Sequence, residues 1–239
     1  MRLKIMSFNI QHARNFNYPT EDRIDFDVMA SAIKRFDPDI VGLQEVRGNG
    51  ENPKYTDQAK TLAGLTGYNY AFAQAFIVPH GGPYGNAILS KLPLLDVKTI
   101  PIPVPQNDGY CEPRCVLRAE IDAGTKITVF VTHFGLKLSE AENASATVVE
   151  ALSGANTPKI LMGDFNLTPE SPVLDPIRIT MADTANVFAK PLLSFPSNAP
   201  TQKIDYIFVS DDFEIINADI PAIIASDHRP HLAEIELKN

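Results

Sequence analysis

The sequence predicts a single α/β domain that spans residues 1–239. Short apolar runs typical of buried strands recur along the whole chain, and helical segments lie between them. Hydrophobic residues make up 44% of the 239 positions, which is enough to bury a large core. Because no linker, repeat or low-complexity tract divides the sequence, one α/β unit fits it better than two domains.

The first helix is predicted to begin at Thr20. This residue can act as an N-cap, and Glu21 and Asp22 follow it in the first turn, where negative charge is favoured. An apolar stripe at helical spacing continues from there. The helix is expected to stop at Asp37, because Pro38 disfavours a helical conformation in the residue before it.

Two further helices are predicted. Ser139 and Glu142 match the capping-box pattern at the start of a helix, and this helix should end at Gly154. Another helix is predicted to run from Lys54 to Leu65. Between and after the helices, strands are predicted near residues 3–9, 39–45, 68–75, 85–91, 94–99, 114–121, 126–133, 158–164, 203–209, 213–219 and 231–237.

Polar side chains stand at or near the ends of several of these strands. Such groups are costly to bury without partners, and ligands of α/β proteins gather just outside strand ends. It is improbable that six separate segments carry such residues by chance, so we infer that these residues converge on one site. The residues that carry this inference are Asn9, Glu45, His133, Asp164, Asn166, Asp205, Asp227 and His228.

These residues lie in a series of short motifs, which read SFNI, LQEV, GNAILSK, THFG, MGDFN, KIDYIFVS and SDHRP in chain order. As a set, from Asn9 to Pro230, they resemble the metal-dependent endonuclease/exonuclease/phosphatase superfamily, which includes pancreatic-type deoxyribonucleases and abasic-site exonucleases. The resemblance implies phosphoester hydrolysis and a four-layer α/β/β/α sandwich with two stacked mixed β-sheets. It does not name the ester, because inositol polyphosphate phosphatases and sphingomyelinases belong to the same superfamily.

The oxygen-rich residues of the set predict a Mg²⁺ or Mn²⁺ site, because these cations bind phosphate groups through one or two carboxylates. Glu45 is the first choice of ligand, with Asn9 and Asp227 nearby. Abasic-site exonucleases carry an acidic residue two positions after the asparagine that matches Asn9, whereas this chain has Gln11. That departure favours a site with one metal ion.

The catalytic roles are predicted as follows. Asp164 should orient or deprotonate the attacking water, and Asn166 should hydrogen-bond a phosphate oxygen without adding negative charge. His228 should contact the phosphate or assist proton transfer once a carboxylate fixes its tautomer. The resemblance implies that Asp205 is this carboxylate.

His133 belongs to the same catalytic set, and two roles are open for it: protonation of the leaving group and phosphate binding. In deoxyribonuclease-like members a histidine at this place pairs with a glutamate and helps to protonate the leaving group. Here the corresponding region holds Asn86, which lacks a carboxylate's charge, so phosphate binding is the safer role for His133. Asn86 and Arg114 are also expected to bind phosphate, the latter in a bidentate manner. Their alternatives are a tight turn and a solvated strand end.

The charge balance limits the classes of partner. There are 29 acidic against 21 basic residues, and the net charge of -8 opposes non-specific attraction to nucleic acid or anionic membranes. The basic loop residues expected near the strand ends are Arg14, Arg47, Lys137 and Arg229. The loop residues that offer stacking faces are Phe76, His80, Tyr84, Tyr110, Phe188 and Phe195.

A cytoplasmic location is the expectation, because the chain shows no signal peptide and no apolar stretch long enough to span a membrane; a trimmed N-terminus stays open. Cys111 and Cys115 lack the second cysteine pair or nearby histidine that a zinc site needs. The sequence leaves a disulfide and two free thiols open, and free thiols are favoured. No obligatory protein partner is evident.

The sequence thus predicts a divalent-metal-dependent hydrolase of phosphoester bonds. Among the possible activities, phosphodiesterase or nuclease-like activity is favoured. A phosphomonoesterase acting on a small phosphorylated metabolite, such as an inositol phosphate, is the alternative. A lipid phosphodiesterase comes third. A catalytically inactive binding module is disfavoured, because the acidic, amide and imidazole residues of the site are all intact.

Overall fold

The computed structural model describes residues 1–52, 54–187 and 192–238. Within these ranges lie twelve strands and four α-helices. The strands are β1 (Arg2–Asn9), β2 (Ile40–Arg47), β3 (Asn69–Val78), β4 (Gly82–Ser90), β5 (Leu94–Pro101), β6 (Cys115–Asp122), β7 (Lys126–His133), β8 (Lys159–Asp164), β9 (Met181–Asp183), β10 (Asp205–Ser210), β11 (Phe213–Asp219) and β12 (His231–Leu237). The helices are α1 (Phe26–Phe36), α2 (Gln58–Thr66), α3 (Leu138–Ser153) and α4 (Asp175–Arg178).

The strands form two mixed sheets of six. The first has the order β11-β12-β1-β2-β4-β3 and the second the order β5-β6-β7-β8-β10-β9. Each contains a parallel pair, β1 with β2 and β7 with β8, among antiparallel neighbours. Because parallel strands end at the same edge of a sheet, the polar residues that follow these four strands come to one edge of each sheet.

Alternating side chains divide the protein into four layers. Ile5 of the first sheet and Met162 of the second belong to the apolar core between the sheets. Phe8, on the opposite face of β1, packs in a cluster with Ile33 of α1. Val148 of α3 belongs to a third cluster on the outer face of the second sheet. The predicted four-layer α/β/β/α sandwich is confirmed.

The predicted start of the first helix is wrong, although its end is right. α1 begins at Phe26, and the carboxylate of Asp25, not the hydroxyl of Thr20, caps it. The preceding segment is held to the loop after β1, since the backbone N–H of Asp25 donates to the carbonyl of Ala13 at 2.8 Å. Backbone groups used in this way are not free to form a helical turn. The helix ends at Asp37, which adopts a left-handed conformation.

Ser139 and Glu142 do not form the predicted capping box. α3 begins one residue before Ser139, and the backbone N–H of Lys137 donates to the carboxylate of Glu140 at 3.0 Å. The Ser139 hydroxyl bonds to the loop between β5 and β6 instead. α2 begins later than Lys54, because the residue just before its first turn supplies the N-cap carboxylate.

The predicted strands match the observed ones closely, whereas β9 and α4 were not predicted. Cys111 and Cys115 are buried free thiols, as expected. Among the described residues, no helix combines the length and the apolar character needed to cross a membrane.

Candidate active site

Asn9 joins the ends of the two parallel strand pairs across the sandwich. Its Nδ2 atom donates to Glu45 Oε1 at 3.0 Å and to Asp164 Oδ2 at 3.0 Å. Asn9 and Asp164 are fully buried, so the amide supplies a partner that these carboxylates would otherwise lack. One side chain therefore holds a carboxylate of the first sheet beside a carboxylate of the second.

Two of the site residues have unusual backbone conformations. Glu45 lies at an irregular point in the pairing of β2 with β4, and its φ is 59°. Asn166, two residues beyond the end of β8, has a φ of 51°. A non-glycine residue is strained in this region and persists there when its surroundings fix it, which is common at functional sites. These conformations turn both side chains toward the site.

His228 lies between two buried carboxylates. Its Nδ1 atom is 2.8 Å from Asp205 Oδ2, and its Nε2 atom is 3.6 Å from Asp164 Oδ2. Asp205 is the register partner of Asp164 in neighbouring strands β10 and β8, which explains why both acids reach one imidazole. The ring of Phe195 packs against His228 with 4.7 Å between centroids. Phe188, also predicted to offer a stacking face, lies outside the described residues.

His133 has a different set of neighbours. Its Nδ1 atom is 2.8 Å from Arg114 Nη1, and its Nε2 atom is 3.2 Å from Asn166 Nδ2. The Asn166 amide also donates to the carbonyl of Phe134 at 3.0 Å, which fixes its orientation. Arg114 Nη1 is also 2.9 Å from Glu112 Oε1, so the guanidinium expected to bind phosphate is held by residues of its own chain.

Asn86 does not replace the glutamate that pairs with this histidine in deoxyribonuclease-like proteins. Its Nδ2 atom donates to the carbonyl of Cys115 at 2.9 Å and not to His133. Its Oδ1 atom is buried without a hydrogen-bond partner. Arg114, and not Asn86, is the residue that contacts His133 Nδ1.

The neighbours shift the pKa values of the two histidines in opposite directions. Burial lowers the pKa of His228, but the negative charges of Asp205 and Asp164 outweigh burial and raise it above its usual range. Burial also lowers the pKa of His133, and there the positive charges of Arg114 and His228 lower it further. The neighbours therefore favour the protonated form of His228 and the neutral form of His133.

The carboxylates fit a divalent cation at Glu45. Burial raises the pKa of Glu45, the hydrogen bond from Asn9 opposes this, and the negative charge of Asp227 raises it again. Two carboxylates that repel each other in this way are stabilised by a shared cation with oxygen ligands. The Asn9 oxygen accepts the backbone N–H of Gln11 at 3.0 Å and retains a second lone pair for such an ion.

A second group of ligand atoms, from Asp164, Asp205 and His228, lies within 4.8 Å of one another. Without a bound ion, the charges of both acids raise the pKa of His228, so its imidazolium can supply positive charge beside these carboxylates.

Two further residues near the site were not identified from the sequence. His12 Nδ1 lies 4.0 Å from Glu45 Oε2, and Glu112 contacts Arg114 as described above. Each lies close in the sequence to a predicted residue: His12 follows Asn9 in the same loop, and Glu112 precedes Arg114. A search for charged or imidazole residues within a few positions of each predicted site residue would therefore have found both.

The model of the Endonuclease/Exonuclease/phosphatase family matches residues 6–228, which is most of the chain. The chain belongs to this family. Members of the family are phosphoesterase hydrolases that generally use divalent metals, so the protein is an enzyme that acts on phosphoester bonds. No match was found among curated protein sequences.

Solved structures of the family have the same fold. A family protein from Bacteroides thetaiotaomicron is 20% identical, with a TM-score of 0.84 over 100% of this chain and 99% of that one. A mannosyl-6-phosphatase from the same organism is 21% identical, with a TM-score of 0.82 over 98% and 100% of the two chains. An endonuclease/exonuclease/phosphatase from Beutenbergia cavernae is 22% identical, with a TM-score of 0.81 over 100% and 72%.

Proposed function

We propose that this family member is a Mg²⁺- or Mn²⁺-dependent phosphodiesterase that acts on small or short phosphoester substrates. The observation that carries the proposal is the Asn9 amide, which holds Glu45 and Asp164 together beside the Asp205–His228 pair. A metal-binding carboxylate and a water-orienting carboxylate are thereby fixed next to an imidazolium. Hydrolysis of a phosphoester needs each of these groups.

Glu45 and Asp227, with the Asn9 oxygen, would hold the metal ion. When bound, the ion neutralises phosphate charge and stabilises the departing oxygen. Asp164 Oδ1 accepts the backbone N–H of Asn166 at 3.0 Å, and Oδ2 accepts from Asn9, so the carboxylate is fixed in one orientation. In that orientation it can align a water for attack on phosphorus and accept a proton from it.

Asp205 and His228 would form the second functional unit. The hydrogen bond from His228 Nδ1 to Asp205 leaves the Nε2–H directed toward Asp164 and the reaction space. An imidazolium in this position can bind a phosphate oxygen or give a proton to the leaving oxygen. Asp205 acts as a positioning residue, because it fixes the ring and stabilises its charge.

The basic side chains favour a small substrate over a long duplex. Arg14 and Arg229 each donate to a backbone carbonyl oxygen at 2.7 Å, and Lys137 donates to two carbonyl groups of the loop between β5 and β6. Arg47 packs between two tyrosine rings, 4.8 and 4.9 Å from their centroids. Cations that bind their own chain release fewer counterions from a nucleic acid.

A phosphomonoesterase that acts on a small phosphorylated metabolite is the second candidate. The structural likeness to the mannosyl-6-phosphatase, which covers nearly the whole of both chains, supports it. The net charge of -8 is compatible with either small substrate. A lipid phosphodiesterase stays third.

A substrate panel separates these candidates. It comprises bis-p-nitrophenyl phosphate, p-nitrophenyl phosphate, short single-stranded DNA and RNA, duplex DNA, inositol and hexose phosphates, and sphingomyelin, each with Mg²⁺ and with Mn²⁺. The proposal expects the diesters to be cleaved faster than the monoesters, with no tight duplex binding at physiological salt. A preference for monoesters selects the second candidate, and tight duplex binding with a steep salt dependence selects a dedicated DNA enzyme.

The metal assignment has its own test. Activity should disappear in EDTA and return with Mg²⁺ or Mn²⁺, and Glu45→Gln should raise the metal concentration needed for half-maximal activity by about 100-fold. Glu120→Gln is the matched control, because Glu120 lies outside the site, where it is paired with Arg118 of β6 and Lys126 of β7. Full activity in EDTA, or an unchanged metal requirement in Glu45→Gln, contradicts the assignment.

A further inference from the structure

His133 is contacted on both ring nitrogens by groups that carry hydrogen atoms. Arg114 Nη1 lies 2.8 Å from Nδ1. A guanidinium donates hydrogen bonds but cannot accept one, and it stays protonated in proteins. Nδ1 must therefore be the acceptor in this contact, because a proton on Nδ1 would face a hydrogen of Arg114 at this short distance. The remaining proton of a neutral ring then lies on Nε2.

In this tautomer the contact of Nε2 with Asn166 joins two donors, so the acceptor for the Nε2 proton must be another group. Asn166 Nδ2, 3.2 Å from His133 Nε2, already directs one hydrogen to the carbonyl of Phe134. Nε2 also lies 3.5 Å from Asp164 Oδ2, which can accept its proton. The Nε2–H of His133 and the second N–H of Asn166 are thus two neighbouring donors beside Asp164.

We propose that Arg114 is a positioning residue that holds His133 in the neutral tautomer with its proton on Nε2. In this form His133 and Asn166 together donate to one non-bridging oxygen of the substrate phosphate. This inference rests on the proposed function and deepens it, because it assigns His133 to phosphate binding and removes it as the source of the leaving group's proton.

The charges around His133 agree with this assignment. The groups that face it are Arg114 from the loop just before β6, Asp164 at the end of β8, Asn166 two residues beyond it, and His228 from the loop before β12. Burial and the two positive groups oppose protonation of the ring. Glu112 contacts the guanidinium and not the imidazole, so it orients Arg114 without stabilising an imidazolium.

The direct test is nuclear magnetic resonance of the folded 239-residue chain with ¹⁵N-labelled histidine, in EDTA and without substrate. The ring nitrogen shifts distinguish the two neutral tautomers and the imidazolium. We expect His133 to show an unprotonated Nδ1 and a protonated Nε2 from pH 5.5 to 8.5, without titration. A proton on Nδ1, or an imidazolium at pH 7, overturns the proposal whatever the enzyme's substrate is, so this outcome is separate from failure of the proposed function.

Variants of Arg114 show whether this residue sets the tautomer. In Arg114→Met the His133 signals should become a mixture of tautomers or titrate within the same pH range, whereas Arg114→Lys, which retains a donor, should restore the wild-type tautomer at least in part. Arg118→Met is the matched control, because Arg118 lies on β6, four residues after Arg114, with similar exposure, 14% against 12%, but pairs with Asp96 and Glu120. Unchanged His133 signals in folded Arg114→Met contradict the role of Arg114.

Kinetics give an independent readout on the best substrate of the panel. Arg114→Met should lower kcat/KM by about 10- to 100-fold and change the acidic limb of the pH profile relative to wild type and Arg118→Met. A loss without any change in the pH profile indicates a merely structural role and contradicts the proposal. If Arg114→Met does not fold, Arg114→Gln replaces it, and the wild-type tautomer remains the deciding measurement.

Discussion

The two histidines of the site, His228 and His133, lie on either side of Asp164, and their neighbours favour a charged ring in one and a neutral ring in the other. His228 lies between Asp205 and Asp164, which stabilise an imidazolium. His133 lies beside Arg114 and an amide, which favour a neutral ring. Both rings are almost fully buried, so desolvation acts on both in the same direction. The difference therefore comes from the neighbouring charges and not from exposure.

This comparison explains how one site can both donate a proton and bind the substrate phosphate. A protonated ring can act as an acid, whereas a neutral ring held by an arginine can only donate a hydrogen bond. Asp164 is within 3.6 Å of both imidazoles and so connects the two halves. The substrate phosphate is then expected between them, with its leaving oxygen on the His228 side.

The largest effect is expected at Asp164, where the two halves meet. Asp164→Asn keeps the size of the side chain but removes the charge that stabilises His228 and aligns water. We expect kcat on a diester substrate to fall by about 10³-fold or more, because both the base and the acid are impaired. Steady-state kinetics on a folded, metal-loaded variant measure this. A loss below 10-fold contradicts the central role of Asp164.

The second effect tests the His228 side as a unit. Asp205→Asn and His228→Ala should each reduce kcat by about 10²- to 10⁴-fold. The double variant should be little worse than the poorer single one, because residues that act together are not additive. Additive losses would mean that Asp205 and His228 work separately, and the comparison between the two histidines would lose its basis.

Much of the layered fold followed from patterns that are local in the sequence. The strands near Asn9, Glu45, His133 and Asp164 are continuous apolar runs, and such runs are predictable because burial on both faces requires them. The start of α1 was not predictable in this way. Thr20 is a good local cap, but the pairing of Asp25 with Ala13 is a tertiary contact that overrides local preference.

The membership of the site was also easier to predict than its internal contacts. Strand-end chemistry identified Asp205 and His228, and the structure brings them to 2.8 Å. The partner of His133 was not predictable from spacing, because Asn86 turns to Cys115 and Arg114 reaches the ring from the neighbouring strand. Which of two nearby side chains turns toward a ring depends on packing in three dimensions.

The third effect sharpens the assignment of the neutral half. His133→Ala should reduce kcat/KM by about 10- to 100-fold through lost phosphate binding. The loss should be similar for a natural ester and for a p-nitrophenyl ester, since p-nitrophenolate needs little protonation. Comparison of the two ratios in the same buffer is the measurement. If the variant is crippled only on the natural ester, His133 is the general acid and the comparison is reversed.

The smallest effect concerns stability and tests the two charge states without substrate. A histidine whose pKa is raised on folding adds stability that is full below its unfolded pKa, near 6.5, and is lost as pH rises through the raised value. A histidine whose pKa is lowered has the opposite effect, because the folded state loses stability as pH falls below about 6.5.

In EDTA, the free energy of unfolding by urea should be measured from pH 5 to 9 for wild type, His228→Asn and His133→Asn. The advantage of wild type over His228→Asn should shrink as pH rises, and its advantage over His133→Asn should shrink as pH falls. Because both substitutions remove a buried ring of the same kind, parallel pH profiles would show that the neighbours do not set the charges in the way described.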